Sequence, residues 1–188
     1  SCSLVGSEMC IRDSRRGALV ALEPKTGLVR ALISSPSFNP NILNSIVDTD
    51  EVESLFSNKE SPIFNRAISG QYPPASTLKP FVGLAAIENE VISWDKTIKD
   101  DGEFYVEGDP RPYRGWKENG HGRVDMRKAI AESSDVYFYN IAFDLTLAGI
   151  RPMLDSFGFG KKTGLTDFEA NGLLPDKKWK LGYKLSLI

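Results

Sequence analysis

The first patterned part of the chain is a pair of short apolar segments separated by turn residues. Residues 18–22 (ALVAL) and 28–33 (LVRALI) are mostly apolar, and the stretch between them contains Pro24 and Gly27. Short apolar runs bounded by Pro and Gly are typical of β-strands joined by a turn. The pattern therefore predicts an antiparallel hairpin at the start of the chain.

Other segments of the sequence predict helices. One is expected to begin near Ser76 and run to about Asn89, since Pro80 is tolerated only in the first turn of a helix. Further helices are expected over residues 50–56, from about Val124, over 134–147, and over 151–157 before Gly158 and Gly160. The Gly-rich residues 97–122 predict a hairpin or a long loop. Strands together with these helices indicate an α+β fold.

Composition and charge exclude some classes of partner. The 188 residues contain 23 Lys and Arg against 25 Asp and Glu, which gives a formal net charge of −2. This balance argues against a protein that binds nucleic acid or an anionic membrane through bulk electrostatics. No apolar run approaches the roughly 20 residues that a membrane-spanning helix needs. The length suits one domain or a large part of one.

One segment interleaves aromatic and basic side chains, a pattern that proteins binding single-stranded nucleic acids also show. These residues are Tyr105, Arg111, Tyr113, Arg114, Trp116 and Lys117. The acidic residues that cancel their charge are Asp100, Asp101, Glu103, Glu107 and Asp109. We therefore predict a solvated hairpin here and no nucleic-acid partner.

The first candidate for chemistry is the segment Ser76-Thr77-Leu78-Lys79, at the predicted start of a helix. Residues three apart on a helix lie on the same side, so the hydroxyl and the amine are expected to be neighbours. A serine hydroxyl is a weak nucleophile, and a neutral lysine amine in a partly desolvated site can accept its proton. The same spacing also fits a helix-capping serine followed by a surface lysine.

The second candidate is Ser133-Ser134-Asp135, where another helix is predicted to begin. A second hydroxyl and a polar acceptor here are suited to relaying a proton from Lys79 to a leaving amine. Ser and Asp are also the residues favoured as helix caps, so the segment taken alone fits a purely structural role.

Together these segments resemble the class B penicillin-binding proteins. The resemblance is carried first by Asn65-Arg66-Ala67 and by residues 70–81 (GQYPPASTLKPF). Later blocks resemble the elongation-specific branch, the penicillin-binding protein 2 type: residues 120–125 (GHGRVD), 133–139 (SSDVYFY), 157–160 (FGFG), 163–164, 172–175 (GLLP) and 179–180. The resemblance spans roughly residues 16–180. It implies an α+β domain of the serine-transpeptidase type, with helices packed on an antiparallel sheet that is incomplete at its C-terminal side.

The resemblance implies roles for four residues. Ser76 is similar to the acylated nucleophile, Lys79 to its general base, and Ser133 to the proton-relay hydroxyl. Asp135 occupies a substrate-binding position at which septal relatives carry Asn. Ser-x-x-Lys and Ser-Asp-Asn are two of the motifs of this superfamily, and Lys-Thr-Gly is the third. The implied chemistry requires neither a metal nor a cofactor.

The implied reaction is acyl transfer in peptidoglycan synthesis. Stem peptides ending in D-Ala-D-Ala are the expected substrates, cross-linked through a serine acyl-enzyme during cell-wall elongation and cell-shape maintenance. Penicillin and other β-lactams are expected to acylate the same serine. Membrane proteins of the elongation machinery are the expected partners, on the periplasmic face of the inner membrane, with the anchor N-terminal to this segment.

Two alternatives remain open. A serine β-lactamase or β-lactam sensor shares Ser76 and Lys79 but differs in how fast water releases the acyl group. A catalytically silent interaction module of the elongation machinery is the second alternative, against which the intact Ser76 and Lys79 argue.

The Lys-Thr-Gly triplet occurs twice, and neither copy fits the third motif. Lys25-Thr26-Gly27 precedes Ser76 and belongs to the predicted hairpin turn. Lys162-Thr163-Gly164 follows Asp135 closely and has no predicted strand before it. We expect the true motif to lie outside this sequence, and therefore expect the segment by itself to be inactive.

The two ends of the sequence do not match the pattern between them. Residues 1–14, which contain both cysteines, and residues 184–188 are expected to be a non-native leader and tail around a partial transpeptidase domain at 15–183. His121 is the only histidine, and no cysteine lies near it, so we expect a structural role in a loop rather than a metal site. A Ser-His-Asp arrangement that uses His121 remains geometrically open.

Overall fold

The computed structural model describes residues 16–44, 49–174 and 176. The expected leader at 1–14 and tail at 184–188 lie outside the described residues. None of the helices in this described part is long and apolar enough to cross a membrane.

The described residues fall into two compact units. The first is drawn from Ser1–Tyr72 and Lys162–Asn171, and the second from Pro73–Lys161 and Gly172–Ile188. The elements of the first unit are strands β1 (Gly17–Leu22) and β2 (Val29–Ser35), a 3-10 turn (Pro40–Asn44), and helices α1 (Thr49–Ser57) and α2 (Arg66–Ser69). The helix predicted at 50–56 is confirmed as α1.

Strands β1 and β2 form the predicted antiparallel hairpin. Gly17 lies opposite Ser35, and the register shifts by one residue near the turn. In the turn, Gly27 has φ 73° and its N–H donates to the carbonyl of Glu23 at 2.8 Å. A positive φ is accessible to glycine without steric cost, so the glycine in the pattern located the turn correctly.

The Asn65-Arg66-Ala67 block has a structural explanation in the first unit. The Asn65 side chain accepts a hydrogen bond from the N–H of Ala67 and caps α2. Arg66 is only 7% exposed. Its guanidinium donates to three backbone carbonyls, those of Glu60, Ser61 and Phe64. A buried guanidinium needs such acceptors, so the block stabilises the loop before α2.

The second unit contains the predicted active-site segment. Its elements are a 3-10 turn (Ala75–Leu78), α3 (Lys79–Glu88), strands β3 (Ile98–Asp100), β4 (Glu103–Phe104), β5 (Tyr113–Arg114) and β6 (Gly122–Val124), and helices α4 (Met126–Ala131) and α5 (Asp135–Ser156). Strands β3 and β6 pair antiparallel, as do β4 and β5. The helix expected from Ser76 is confirmed as the 3-10 turn running directly into α3, with Pro80 in its first turn.

The other predicted helices are confirmed with shifted boundaries. The helix expected from about Val124 is α4, which begins at Met126 because Asp125 caps it by accepting a hydrogen bond from the N–H of Lys128, while Val124 ends β6. The helices predicted at 134–147 and 151–157 are two helical segments of α5, separated by a kink at Thr146, where φ is 59° and ψ is 173°, so the second segment begins before residue 151.

Helices α3 and α5 pack against each other and form the core. Ala85 and Ala86 of α3 are fully buried, and Ile141 of α5 is 1% exposed. Burial raises the pKa of Tyr137 to about 12, so its phenol stays neutral in the core at physiological pH. Helix α5 also contacts β3, β4 and β5, so the expected packing of helices on antiparallel strands is confirmed. The core thereby holds the start of α3 close to the start of α5.

Candidate active site

Ser76 lies in the tight turn that leads into α3. The preceding residue, Ala75, has φ 49°, a left-handed conformation that is uncommon outside glycine. Ser76 is exposed, and its carbonyl accepts a hydrogen bond from the N–H of Lys79, the first residue of α3. The turn therefore presents the Ser76 side chain to solvent one turn away from Lys79.

The Lys79 amine joins this turn to the second candidate segment. Its Nζ donates to the carbonyl of Ser133 at 2.8 Å, to Ser133 Oγ at 2.9 Å and to Asp135 Oδ1 at 2.6 Å. The Lys79 side chain is 13% exposed, and Nζ lies 5.6 Å from the centroid of the Phe138 ring. Three polar groups therefore surround Nζ within hydrogen-bonding distance: a carbonyl, a hydroxyl and a carboxylate.

Ser133 occupies the turn between α4 and α5 in a left-handed conformation, with φ 54°. The N–H of Ser133 donates to the carbonyl of Ile130 at 3.3 Å, and the N–H of Ser134 to that of Ala129 at 2.9 Å. These two bonds form the helix-ending motif in which glycine usually occupies the left-handed position. A serine there points its hydroxyl and carbonyl at Lys79, at a cost in backbone strain.

Trp116 holds the other side of this turn. Its backbone N–H donates to Asp135 Oδ2 at 3.1 Å, so both oxygens of this carboxylate have donors. Its indole N–H lies 3.2 Å from the carbonyls of both Glu132 and Ser133. The sequence pattern placed Trp116 in a solvated hairpin, and nothing in that pattern indicates its contact with the second candidate segment.

A buried polar cluster lies next to the turn. The Asp100 carboxylate accepts hydrogen bonds from Ser134 Oγ at 2.6 Å and from the Gly102 N–H at 2.9 Å. It also pairs with His121 Nδ1 at 2.7 Å. Burial by itself raises the pKa of Asp100, but hydrogen bonds from Ser134, Gly102 and His121 outweigh it and lower the pKa below its ordinary value.

The expectation that Asp100 is solvated is wrong, since the residue is 1% exposed. Alternation along β3 could have revealed this, because Asp100 lies on the same face as the half-buried Ile98 while Lys99 is exposed. Of the Ser-His-Asp alternative, the described residues show the His121–Asp100 pair, but Ser134 binds the same carboxylate and no hydroxyl hydrogen-bonds to His121 Nε2. In the described residues no group of three or more His, Cys, Asp or Glu side chains could hold a metal ion.

Both Lys-Thr-Gly triplets lie in loops. Lys25-Thr26-Gly27 is in the β1–β2 turn. In the other triplet, the Thr163 hydroxyl and the Gly164 N–H donate to the Glu169 carboxylate at 2.7 and 2.6 Å. The Thr163 hydroxyl is the main reason that the pKa of Glu169 is lowered. This triplet therefore binds a carboxylate of its own loop.

The structure brings Lys79, Ser133 and Asp135 into direct hydrogen-bonding contact. Ser76, which the sequence predicts to neighbour Lys79, is one turn away, and its hydroxyl makes no hydrogen bond to Lys79 Nζ. Exposure leaves the Ser76 hydroxyl free to meet a substrate. The arrangement is chemically suited to a serine nucleophile with a lysine and a second hydroxyl as proton-transfer groups.

Comparisons with known proteins identify the family of this chain. Residues 17–187 match the family model described as penicillin binding protein transpeptidase domain. A curated relative, peptidoglycan D,D-transpeptidase MrdA of Acinetobacter baumannii, is 42% identical over 168 residues, which are 89% of this chain and 25% of the relative. This chain therefore spans about a quarter of that relative's length.

Two solved structures are also similar. The crystal structure of Pseudomonas aeruginosa PBP2 in complex with WCK 5153 has a TM-score of 0.85 and 34% identity, covering 98% of this chain and 42% of that one. The complex between PBP2 and MreC from Helicobacter pylori has a TM-score of 0.85 and 32% identity, covering 93% of this chain and 32% of that one. With its matching fold and most of its length aligned, the chain belongs to the penicillin-binding protein transpeptidase domain family.

Proposed function

We propose that this chain supplies the nucleophile and the proton-transfer residues of a peptidoglycan D,D-transpeptidase that acts in cell-wall elongation. The observation that carries the proposal is the Lys79 amine, which lies one turn from Ser76 and donates to both Ser133 and Asp135. The D,D-transpeptidase named among the relatives and the two PBP2 structures support the same reaction.

In the acylation step, Ser76 Oγ attacks the carbonyl carbon of the penultimate D-alanine of a stem peptide. The hydroxyl proton passes to Lys79 Nζ as the Oγ–C bond forms. Cleavage of the peptide bond then releases D-alanine, whose amine takes a proton from Lys79 through the Ser133 hydroxyl. The product is an ester between Ser76 and the stem peptide, with no net change in the protons held by the enzyme. The backbone N–H of Ser76 is our candidate for one donor to the developing oxyanion.

The lysine must be a neutral amine before it can act as a base. A neutral amine keeps two N–H donors, which suit the Ser133 carbonyl and Asp135 Oδ1. Its lone pair can then accept a hydrogen bond from Ser133 Oγ, 2.9 Å away, and protons can pass along that bond.

In the second half of the reaction, an amine of a neighbouring stem peptide attacks the ester carbonyl carbon, and the new C–N bond forms as the Oγ–C bond to Ser76 breaks. The proton that the amine loses passes through Lys79 to Ser76 Oγ, so the products are the cross-linked peptide and the free Ser76 hydroxyl. We assign Asp135 to substrate binding. Its carboxylate is 24% exposed, and each oxygen has a further lone pair beyond those used by Lys79 and Trp116. Asp135 is therefore suited to accept a hydrogen bond from an N–H of the acceptor or donor stem peptide.

Partners and location follow from the same proposal. β-Lactams are expected to acylate Ser76 in place of the stem peptide. A membrane protein of the elongation machinery is the expected partner, in keeping with the Helicobacter pylori PBP2 that was solved with MreC. We place the protein at the periplasmic face of the bacterial inner membrane.

The proposal is tested by treating the longest natural polypeptide that contains this sequence with a labelled penicillin. We expect one label per chain, mapped by mass spectrometry to Ser76, and an acyl-enzyme that persists through repeated washing. Rapid release of the label by water would instead identify a β-lactamase. Absence of any label, in a protein that unfolds cooperatively, would favour the non-catalytic module.

The strained conformation of Ser133 predicts that glycine and alanine at this position give proteins of different stability. Both Ser133→Gly and Ser133→Ala remove the hydroxyl, and both are expected to slow acylation by penicillin. Because φ is 54°, Ser133→Gly is expected to have a free energy of unfolding about 1 kcal/mol higher than Ser133→Ala. Denaturant unfolding of the two variants measures the difference. An alanine variant as stable as the glycine variant would show that the position carries no strain.

A further inference from the structure

The buried carboxylate of Asp100 belongs to no step of the proposed reaction. Asp100 is 1% exposed, Ser134 is 0% exposed and His121 is 8% exposed, so their shared hydrogen bonds lie away from solvent. Burying a carboxylate is costly unless donors compensate it, and this one has three: Ser134 Oγ, the Gly102 N–H and His121 Nδ1. Desolvation of a buried charge offsets much of what its hydrogen bonds contribute, so stability alone is a poor explanation for this cluster.

One branch of the cluster leads to the turn that faces Lys79. Ser134 Oγ donates to Asp100 and accepts from the N–H of Tyr137, so the same hydroxyl caps α5 and is held in place by the carboxylate. Ser134 lies directly between Ser133 and Asp135, both of which bind Lys79 Nζ. Fixing Ser134 therefore fixes the two groups on either side of it.

A second branch reaches the same site through Trp116. Asp100 Oδ1 accepts from the N–H of Gly102, whose carbonyl accepts from the N–H of Gly115 at 2.8 Å. The next residue, Trp116, donates its backbone N–H to Asp135 Oδ2. Gly102 has φ 92°, and a Cβ built on it would lie 2.2 Å from the carbonyl oxygen of Glu118, so this branch tolerates little displacement.

We propose that Asp100 is a positioning residue for the reaction at Ser76. Through Ser134 and Gly102 it holds Ser133 and Asp135 within hydrogen-bonding distance of the Lys79 amine. Asp100 itself touches neither the substrate nor Lys79. The inference rests on the proposed acyl transfer. It predicts that the Asp100 carboxylate controls how fast bound penicillin acylates the enzyme, rather than how tightly penicillin binds.

The first test compares Asp100→Asn with Asp101→Asn in the longest natural polypeptide that contains the sequence. The control residue is adjacent in sequence, but it is exposed and its carboxylate pairs with the exposed Lys99. An amide has one acceptor oxygen where the carboxylate has two, so it cannot serve all three donors. We expect the acylation rate constant at saturating penicillin to fall about 10- to 100-fold in Asp100→Asn, as displacement of a reacting group does. The concentration for half-maximal rate should change little, and Asp101→Asn should behave like wild type.

Misfolding and mispositioning give different results in this experiment. A variant that only folds poorly loses labelled fraction at the end point, while its folded molecules acylate at the wild-type rate. A wild-type rate in the folded molecules of Asp100→Asn would overturn the positioning role. If the wild-type protein is itself not acylated, the proposed function fails before Asp100 is tested.

The route through Ser134 is tested by a double-mutant cycle. Ser134→Gly removes the hydroxyl, and glycine is nearly as good a helix cap as serine. If Asp100 acts through Ser134, the loss of rate in the double variant should be clearly smaller than the two single losses multiplied together. Independent, multiplicative losses would contradict that route.

Discussion

Replacing Ser76 with alanine is expected to abolish covalent labelling by penicillin while leaving the fold intact. Ser76 is the hydroxyl that combines exposure, a position at the start of α3 and a lysine one turn away. Ser133, the second hydroxyl beside Lys79, is only half-exposed and lies in a strained turn, so we assign it to proton transfer rather than to ester formation. Labelling below the detection limit, measured by intact-protein mass spectrometry, is the expected result.

The matched control for this variant is Ser93→Ala, which removes another exposed serine hydroxyl of the same unit. Both substitutions are at exposed positions, so each should change the free energy of unfolding by less than about 0.5 kcal/mol. Ser93→Ala should label as wild type does. A label found on Ser133 or elsewhere in Ser76→Ala would overturn the assignment of the nucleophile.

Replacing Lys79 with arginine is expected to be nearly as damaging as replacing it with alanine. Arginine keeps the positive charge and can still pair with Asp135, but its guanidinium does not release a proton at working pH. Loss of a general base costs about 10²- to 10⁴-fold in rate. We expect a loss of that size in the acylation rate of both Lys79→Arg and Lys79→Ala. The rate is measured by quenching the labelling reaction at set times and quantifying the penicillin bound to Ser76.

The pH dependence separates a base from a simple charge. Raising the pH is expected not to rescue Lys79→Arg, since the guanidinium stays protonated throughout the range in which proteins are stable. Lys96→Arg, which makes the same change at an exposed lysine of the same unit, is the control and should acylate normally. Substantial acylation by Lys79→Arg would mean that Lys79 contributes only its charge and that the base lies elsewhere.

Local patterns in the sequence were sufficient for the elements that depend on neighbouring residues. Pro24 and Gly27 located the hairpin turn, and Pro80 located the first turn of α3. The three-residue spacing of Ser76 and Lys79 placed both at the start of one helix, because helical geometry fixes which residues share a side. The same local reasoning located the start of α4 only to within two residues, since Val124 ends β6 and the helix begins after the Asp125 cap.

Tertiary structure alone decided how the second segment meets the first. Lys79 and Ser133 are 54 residues apart, and their contact depends on the packing of α3 against α5 and on a left-handed turn at a serine. Asp100 looked like one solvated charge among several, yet the fold buries it with His121 and Ser134. A charge can be buried only where distant parts of the chain supply its hydrogen bonds, and a local sequence pattern does not contain that information.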